Sequence, residues 1–361
     1  MGGTLKKAAA IALAAAGAAV AGILVAGRHF SAPRYQGPPS DHFDGRGFLT
    51  LRPIGHERFA FLKWILTRDQ GPWADWIDAP PAPAPPERAA DGALRVTFVN
   101  HATVLIQMDG VNVLTDPIWS GRTSPVSWAG PRRRRPAGIR LADLPPIDAV
   151  FVSHNHYDHL DLPTLRHLAD RFAPRIFTGL GNDLLLRATG IAGGEPLDWW
   201  ESRELRAGVR VHFVPAQHFS SRGTRDRTAT LWGGFVLESP SGAVYFAGDT
   251  GWGPHFAAIR DRFPRIRLAI LPIGAFRPEW FMAPVHIGPA EAIRAHRTLG
   301  AAASMAMHFG TFPLGDDGMT EAPDTLRALL AREPDGAKAF WIPEFGEGRT
   351  FPPADSVVSS Q

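Results

Sequence analysis

Ala149-Val150-Phe151-Val152-Ser153-His154-Asn155-His156-Tyr157-Asp158-His159 is the stretch whose reading decides the fold. Its first four residues are a β-branched and aromatic run of the kind that fills a buried strand. Three histidines and one aspartate then fall within six positions, so the cluster sits where a strand ends and a loop begins. Imidazole nitrogen and carboxylate oxygen together suit zinc or a similar first-row cation. His154 and His156 are two apart, so on an extended backbone they point the same way. Asp158 and His159 follow in the turn and can face a second metal. The competing reading, a solvated His-rich loop, is disfavoured because partners that complete two metal shells lie downstream.

Those partners are His218, Asp249 and His308. His218 follows the alternating run Val209-Arg210-Val211-His212-Phe213-Val214, which breaks at Pro215. Asp249 follows Ala243-Val244-Tyr245-Phe246-Ala247, and His308 follows Ala303-Ser304-Met305-Ala306-Met307. Each ligand candidate thus lies just past a strand, where a rigid sheet holds side chains in fixed geometry. Taken singly each is an ordinary polar residue; the ordered set is far more specific.

Around this framework, residues 94–99 and 104–108 read as strands, with His101-Ala102-Thr103 as the turn between them. Residues 111–114 form a hairpin partner after Asp109-Gly110. Helices are expected over residues 162–172 and 289–299, the second with Pro289 suited to a first turn. A further helix opens at Thr320-Glu321-Ala322-Pro323 and ends near Arg332. Strands and helices interleave, so the fold class is α/β or α+β.

The 361 residues permit one large domain or two smaller ones, and 45% hydrophobic with 20% charged residues fits a globular protein with a sizeable core. Cysteine is absent, so metal binding must use His and carboxylate alone. A net charge of +3 is too small to argue for nucleic acid. Eleven tryptophans read mainly as core packing, with a lipid-facing rim as the other possibility.

Lys6 and Lys7 precede a run without charge over residues 8–27, long enough for a bilayer span and also suited to a secretory signal. Ala19-Val20-Ala21 offers a cleavage site, but the run continues to Gly27, which favours a retained anchor. The basic N-terminus favours the cytoplasmic side, which would place the main domain in the periplasm if the host is a Gram-negative bacterium. Three regions follow: an anchor or signal over 1–27, a linker and N-terminal extension packing on the domain over 28–93, and the compact main domain over 94–361. Within the second, 28–47 reads as a Pro- and Gly-rich linker, 48–77 holds a short packing helix, and the prolines of 79–92 form a stiff connector.

HxHxDH followed by His, Asp and His at strand ends resembles the metallo-β-lactamase superfamily. Within it, the chain resembles the branch containing N-acylphosphatidylethanolamine-hydrolysing phospholipase D. Further residues carry that resemblance: Asn100-His101-Ala102-Thr103, Leu114-Thr115-Asp116-Pro117, Leu197-Asp198-Trp199-Trp200-Glu201, Pro215-Ala216-Gln217-His218, Gly248-Asp249-Thr250-Gly251, Trp280-Phe281-Met282, His286 and His308-Phe309-Gly310-Thr311. The match covers roughly residues 94–350. Asn100 departs from the glycine usual in this turn, and asparagine tolerates the left-handed conformation.

The resemblance implies a four-layer αββα sandwich with metals at one edge. It assigns His154, His156 and His218 to one zinc, Asp158, His159 and His308 to the other, and Asp249 to both, although another divalent metal would also suit these ligands. Two-metal sites of this kind, about 3.5–4 Å apart, stabilise the incoming and leaving oxygens of an in-line displacement. Asp158 also steers the nucleophile or its proton. His286, outside the ligand set, is either a structural histidine or, as the resemblance implies, a hydrogen-bond donor or general acid near the substrate phosphate. Gln217 has a lesser positioning role, and His101 is assigned to a structural turn.

Arg132-Arg133-Arg134-Arg135 is the strongest charge run. It reads either as solvated surface or as a basic patch that attracts anionic membranes. Nucleic acid is disfavoured, because aromatic and basic residues do not interleave. The expected activity is a binuclear zinc hydrolase acting on a phospholipid phosphodiester at a membrane. The alternatives are hydrolysis of a soluble lactone or phosphodiester, and a non-catalytic metal-binding envelope protein.

Overall fold

The computed structural model describes residues 27–55, 59–90, 92–333 and 339–351. Seven strands form the first sheet: β1 (Leu94–Asn100), β2 (Thr103–Met108), β3 (Val111–Thr115), β4 (Ala149–Val152), β5 (Arg175–Gly179) and β6 (Gly194–Leu197), with the last strand of the chain, β14 (Gly348–Phe351), beside β1. The second sheet holds β7 (Ser202–Arg206), β8 (Val209–Val214), β9 (Gly234–Ser239), β10 (Gly242–Phe246), β11 (Ile266–Pro272), β12 (Ala303–Met307) and β13 (Phe340–Trp341), in the order β13-β12-β11-β10-β9-β8-β7. The helices are α1 (Ala60–Leu66), α2 (Leu162–Phe172), α3 (Asn182–Ala188), α4 (His255–Arg262), α5 (Glu279–Met282), α6 (Pro289–Leu299) and α7 (Glu321–Leu330).

Strand β4 shows why the layers stack as they do. Its side chains alternate between faces. Phe151 points between the sheets and stacks on Phe235 of β9, with ring centroids 4.5 Å apart. Val150 and Val152 point the other way, onto Leu165 and Leu168 of α2 and Leu185 and Leu186 of α3. Both faces are covered, so the strand reads as a continuous apolar run. On the second sheet, α4, α6 and α7 contribute Phe256, Ile259, Ile293 and Leu326 to the larger core. Two helix-covered sheets packed face to face make the α/β sandwich that the sequence predicts. At the β2–β3 hairpin, Asp109 and Gly110 take φ of 47° and 77°, the left-handed pair that a two-residue turn requires.

Several expectations need correction. The apolar run over 8–27 lies, up to residue 26, outside the described residues. Among the described residues no helix is long and apolar enough to cross a membrane. The longest, α2 and α6, have 11 residues each, whereas a span needs about 20. The expected anchoring of a periplasmic domain by an N-terminal membrane segment is therefore set aside. The stretch 28–47 is not a free linker. Phe43 is buried in the main core together with Phe48, and Tyr35 and Phe48 donate their backbone N–H groups to Ala229 and Thr228. Proline and glycine mark irregular backbone there, not absence of packing.

The arginine run is not a uniform patch either. Arg133 is 5% exposed, and its guanidinium donates to Asn100 Oδ1 and to the carbonyls of Ile118 and Ser120. Arg135 lies over the Phe345 ring at 3.5 Å. Four consecutive residues on irregular backbone face different directions, so a block of like charge is split between interior and surface. Asn100 stays in β1, and His101 takes the left-handed conformation at φ 47°. The Asn100 side chain is used instead to meet Arg133 and the Ile118 carbonyl.

Candidate metal centre

Four strand ends converge at one edge of the sandwich. The loop after β4 brings His154, His156, Asp158 and His159; β8, β10 and β12 of the facing sheet lead to His218, Asp249 and His308. A ring nitrogen from each of His154, His156 and His218 falls within 4.8 Å of the others, and His101, Asp158, His159 and His308 form a second group by the same measure. His154 Nε2 lies 2.8 Å, and His218 Nε2 3.2 Å, from His156 Nδ1. In the second group, Asp158 Oδ2 is 3.2 Å from His159 Nε2 and 3.4 Å from His308 Nε2.

Asp249 stands between the two groups. Its Oδ2 is 3.1 Å from His159 Nε2 and 3.9 Å from His218 Nε2, and its Oδ1 is 3.2 Å from His308 Nε2. His286 Nδ1 lies 3.8 Å from the same Oδ2, at the more open side of the centre. All seven residues expected as ligands, and His286, are thus brought to one place.

The orientation of these groups is set from behind. His218 Nδ1 donates to the Val285 carbonyl at 2.9 Å, which leaves Nε2 facing the centre. His159 Nδ1 meets Asp116 Oδ2 at 2.6 Å, and Ser153 holds the same carboxylate through its N–H and hydroxyl. The ligand loops are also tied to one another. Thr250 Oγ1 accepts from the Gln217 N–H, the Thr250 carbonyl accepts from the Ile287 N–H, and Gln217 Nε2 reaches the Pro284 carbonyl. The Gln217 amide further clasps both backbone groups of Arg52, fastening the N-terminal extension beside His218.

Charge and burial fit a divalent cation. Burial pushes His154 and His218 well below the ordinary imidazole range and His156 down to about 4, so these three are neutral donors. Burial opposes charge on His159 and His308 too, but Asp249, with Asp158, overcomes it, raising His159 well above its usual value and His308 to about 9. The two carboxylates thus demand positive charge, which protons supply when no metal does. His159 Nε2, His308 Nε2 and Asp249 Oδ1 are buried and approach one another as ion pairs without a well-aligned hydrogen bond. Buried polar atoms are rarely left so, and a cation would satisfy all three. His286, lowered to about 4 by burial, is neutral near pH 7 and offers one N–H donor.

Two residues here were given no such place by the sequence. His101, assigned to a turn, is buried with Nε2 2.9 Å from Asp158 Oδ2 and its ring against His308, centroids 4.0 Å apart. Asp116 lies one residue past β3 and meets the same strand-end criterion that singled out Asp249. Its motif is part of the family resemblance, but its use as the partner of His159 depends on how β3 lies beside β4.

A helix-covered pair of sheets with a histidine and aspartate cup at their common edge defines a metal-dependent hydrolase of the metallo-β-lactamase fold. Residues 111–309 match the family described as Beta-lactamase superfamily domain, and the chain belongs to that family. It is 38% identical over 271 residues to N-acyl-phosphatidylethanolamine-hydrolyzing phospholipase D 1 of Caenorhabditis elegans, covering 72% of this chain and 76% of the relative. It is 34% identical over 306 residues to an uncharacterised Mycobacterium tuberculosis protein, covering 82% of this chain and 81% of that one. Among solved structures, an isothiocyanate hydrolase from Delia radicum gut bacteria shares the fold, with a TM-score of 0.56, 21% identity and coverage of 72% of this chain and 99% of that one.

Proposed function

We propose that the protein is a binuclear zinc hydrolase that cuts the headgroup-side phosphodiester bond of N-acylphosphatidylethanolamine-like phospholipids. The observation that carries this reading is the position of Asp249 between two separate ligand groups, within 4 Å of histidines from both. The likeness to the nematode phospholipase D supplies the substrate class.

In this reading His154, His156 and His218 hold one ion, Asp158, His159 and His308 the other, and Asp249 both. Two zinc ions held by these residues would supply an activated water and positive charge for the incoming and leaving oxygens. Asp158, fixed by His101, directs the proton of the attacking water. His286 donates its N–H to a phosphate oxygen from the open side of the centre. Water oxygen joins phosphorus, the bond from phosphorus to the headgroup oxygen breaks, and the headgroup leaves as an alcohol carrying the proton. Metal analysis of the purified protein together with a panel of phospholipids, lactones and soluble diesters tests the reading. Turnover confined to lactones or to soluble diesters would overturn the lipid assignment.

A further inference from the structure

The loop that carries most of the candidate ligands is held closed by a side chain from another part of the sequence. His156, Asp158 and His159 lie between Asn155 and Leu160. Arg222 Nη1 donates to the carbonyls of both Asn155 and Leu160, each at 2.9 Å. Its guanidinium also lies over the Tyr157 ring, 3.9 Å from the centroid. Hydrogen bonds from a charged donor are roughly twice as strong as those between neutral groups. One cation thus grips both ends and the middle of a six-residue turn.

Arg222 is itself fixed at its root. The buried Asp226 carboxylate accepts the backbone N–H groups of Arg222 at 2.9 Å and Gly223 at 2.8 Å, and that of Ala32 in the N-terminal extension at 2.8 Å. Arg222 stands four residues past His218, on a segment that runs alongside the metal loop. The Phe219 ring meets His156 at a steep angle with centroids 4.8 Å apart, and Thr230 Oγ1 accepts from Asn155 Nδ2 at 3.2 Å. The loop of one sheet and the loop of the other are therefore joined through this arginine.

We infer that Arg222 is a positioning residue of the metal centre, which keeps the 155–160 turn closed and so holds His156, Asp158 and His159 in register with His218, an inference that rests on the proposed metal-binding reading and not on the identity of the substrate. Arg222 acts through these ligands and touches no reacting atom. Both of its bonds to the turn leave one nitrogen, so an ammonium with three donors can also make them, whereas a thioether cannot.

Zinc is the probe, titrated into the metal-stripped full chain against a chromophoric chelator. Arg222→Met should weaken zinc binding about 10–100-fold, the usual effect of losing a group behind metal ligands, and Arg222→Lys by less than about fivefold. The visible spectrum of the cobalt-substituted protein should change in Arg222→Met and return in Arg222→Lys. Leu326→Ala, a core truncation on α7 away from the loop, should lower stability yet leave zinc affinity and the cobalt spectrum as in wild type. Circular dichroism reports folding, and Arg222→Gln, too short to reach both carbonyls, serves if Arg222→Met does not fold. Wild-type zinc affinity in Arg222→Met would overturn the inference. A loss in Arg222→Lys as large as in Arg222→Met, or an equal loss in Leu326→Ala, would mark Arg222 as packing and overturn it too. With zinc saturating, kcat for a phosphodiester should fall in Arg222→Met while KM stays within about twofold; a raised KM at wild-type kcat would make Arg222 a substrate contact instead. Absence of phospholipid turnover by wild type would sink the lipid reading alone, because the zinc and cobalt measurements decide the role of Arg222 without it.

Discussion

His101 Nε2 lies 2.9 Å from Asp158 Oδ2, and the carbonyl of the same histidine accepts the backbone N–H of His308 at 2.7 Å. One buried turn residue thereby fixes both a carboxylate and an imidazole of the same candidate ion site. Partners placed behind metal ligands commonly contribute 10–100-fold to affinity or activity. His101→Ala should loosen one of two bound ions and lower turnover by about that factor. Asp249→Asn should lose more, since it removes charge shared by both sites. Chelator competition on folded variants measures the order, and wild-type metal affinity in His101→Ala would show the pair to be idle.

Elemental analysis should find about two divalent ions per chain, as expected for a shared-carboxylate site. Stripping them should leave His159 Nε2, His308 Nε2 and Asp249 Oδ1 buried with no well-aligned hydrogen bond. The melting temperature should therefore fall and be restored by zinc, because an ion that binds only the folded chain stabilises it. A stoichiometry of one, or a melting temperature indifferent to zinc, would contradict the paired arrangement.

His286→Ala should keep both ions and lower phosphodiester turnover by about 10²-fold. The residue stands 3.8 Å from Asp249, too far to be its hydrogen-bond partner and near enough to meet a substrate in the same opening. Loss of an ion from this variant would move His286 into the ligand set.

The arginine run offers a contrast in stability. Arg133→Ser removes a buried guanidinium with three acceptors and should cost about 3 kcal/mol. Arg132→Ser, at the exposed surface, should stay within about 0.5 kcal/mol. Denaturant unfolding of the two variants decides it; similar values for both would refute the split between interior and surface.

A pH effect follows at His42, which meets Asp198 Oδ1 at 2.7 Å and stacks on Trp199. Burial alone would lower its pKa, but hydrogen bonds to Asp198 and Asp41 outweigh that and raise it above 6.5. A raised folded-state value means the pair's stabilisation is fully present below pH 6.5 and fades as pH climbs through the raised value. The N-terminal extension should become more sensitive to proteolysis on the alkaline side of that window, and His42→Gln should flatten the profile. A wild-type extension that becomes better protected from proteolysis as pH rises would reverse the assignment.

Much of this was legible in the sequence because the signals are local. An apolar run ending in His154-Asn155-His156 states both strand and ligand within a few residues, and α2 and α6 occupy the spans that their spacing predicts. What was not legible depends on which segments meet. His101 looks like a turn until β12 carries His308 against its ring, and Arg133 looks solvated until the Asn100 side chain and the Ile118 carbonyl close around it. The packing of 28–47 is equally nonlocal: Tyr35 is anchored by Ala229, far along the chain.

The contacts that join Gln217, Thr250 and Ile287 have a consequence for how this protein can change. Three loops from distant parts of the sequence share one small set of hydrogen bonds, so substitutions in any two of them will not act independently. A change that asks one of these loops to move therefore has to be met by the other two, so the ligand-bearing edge evolves as a unit and not residue by residue.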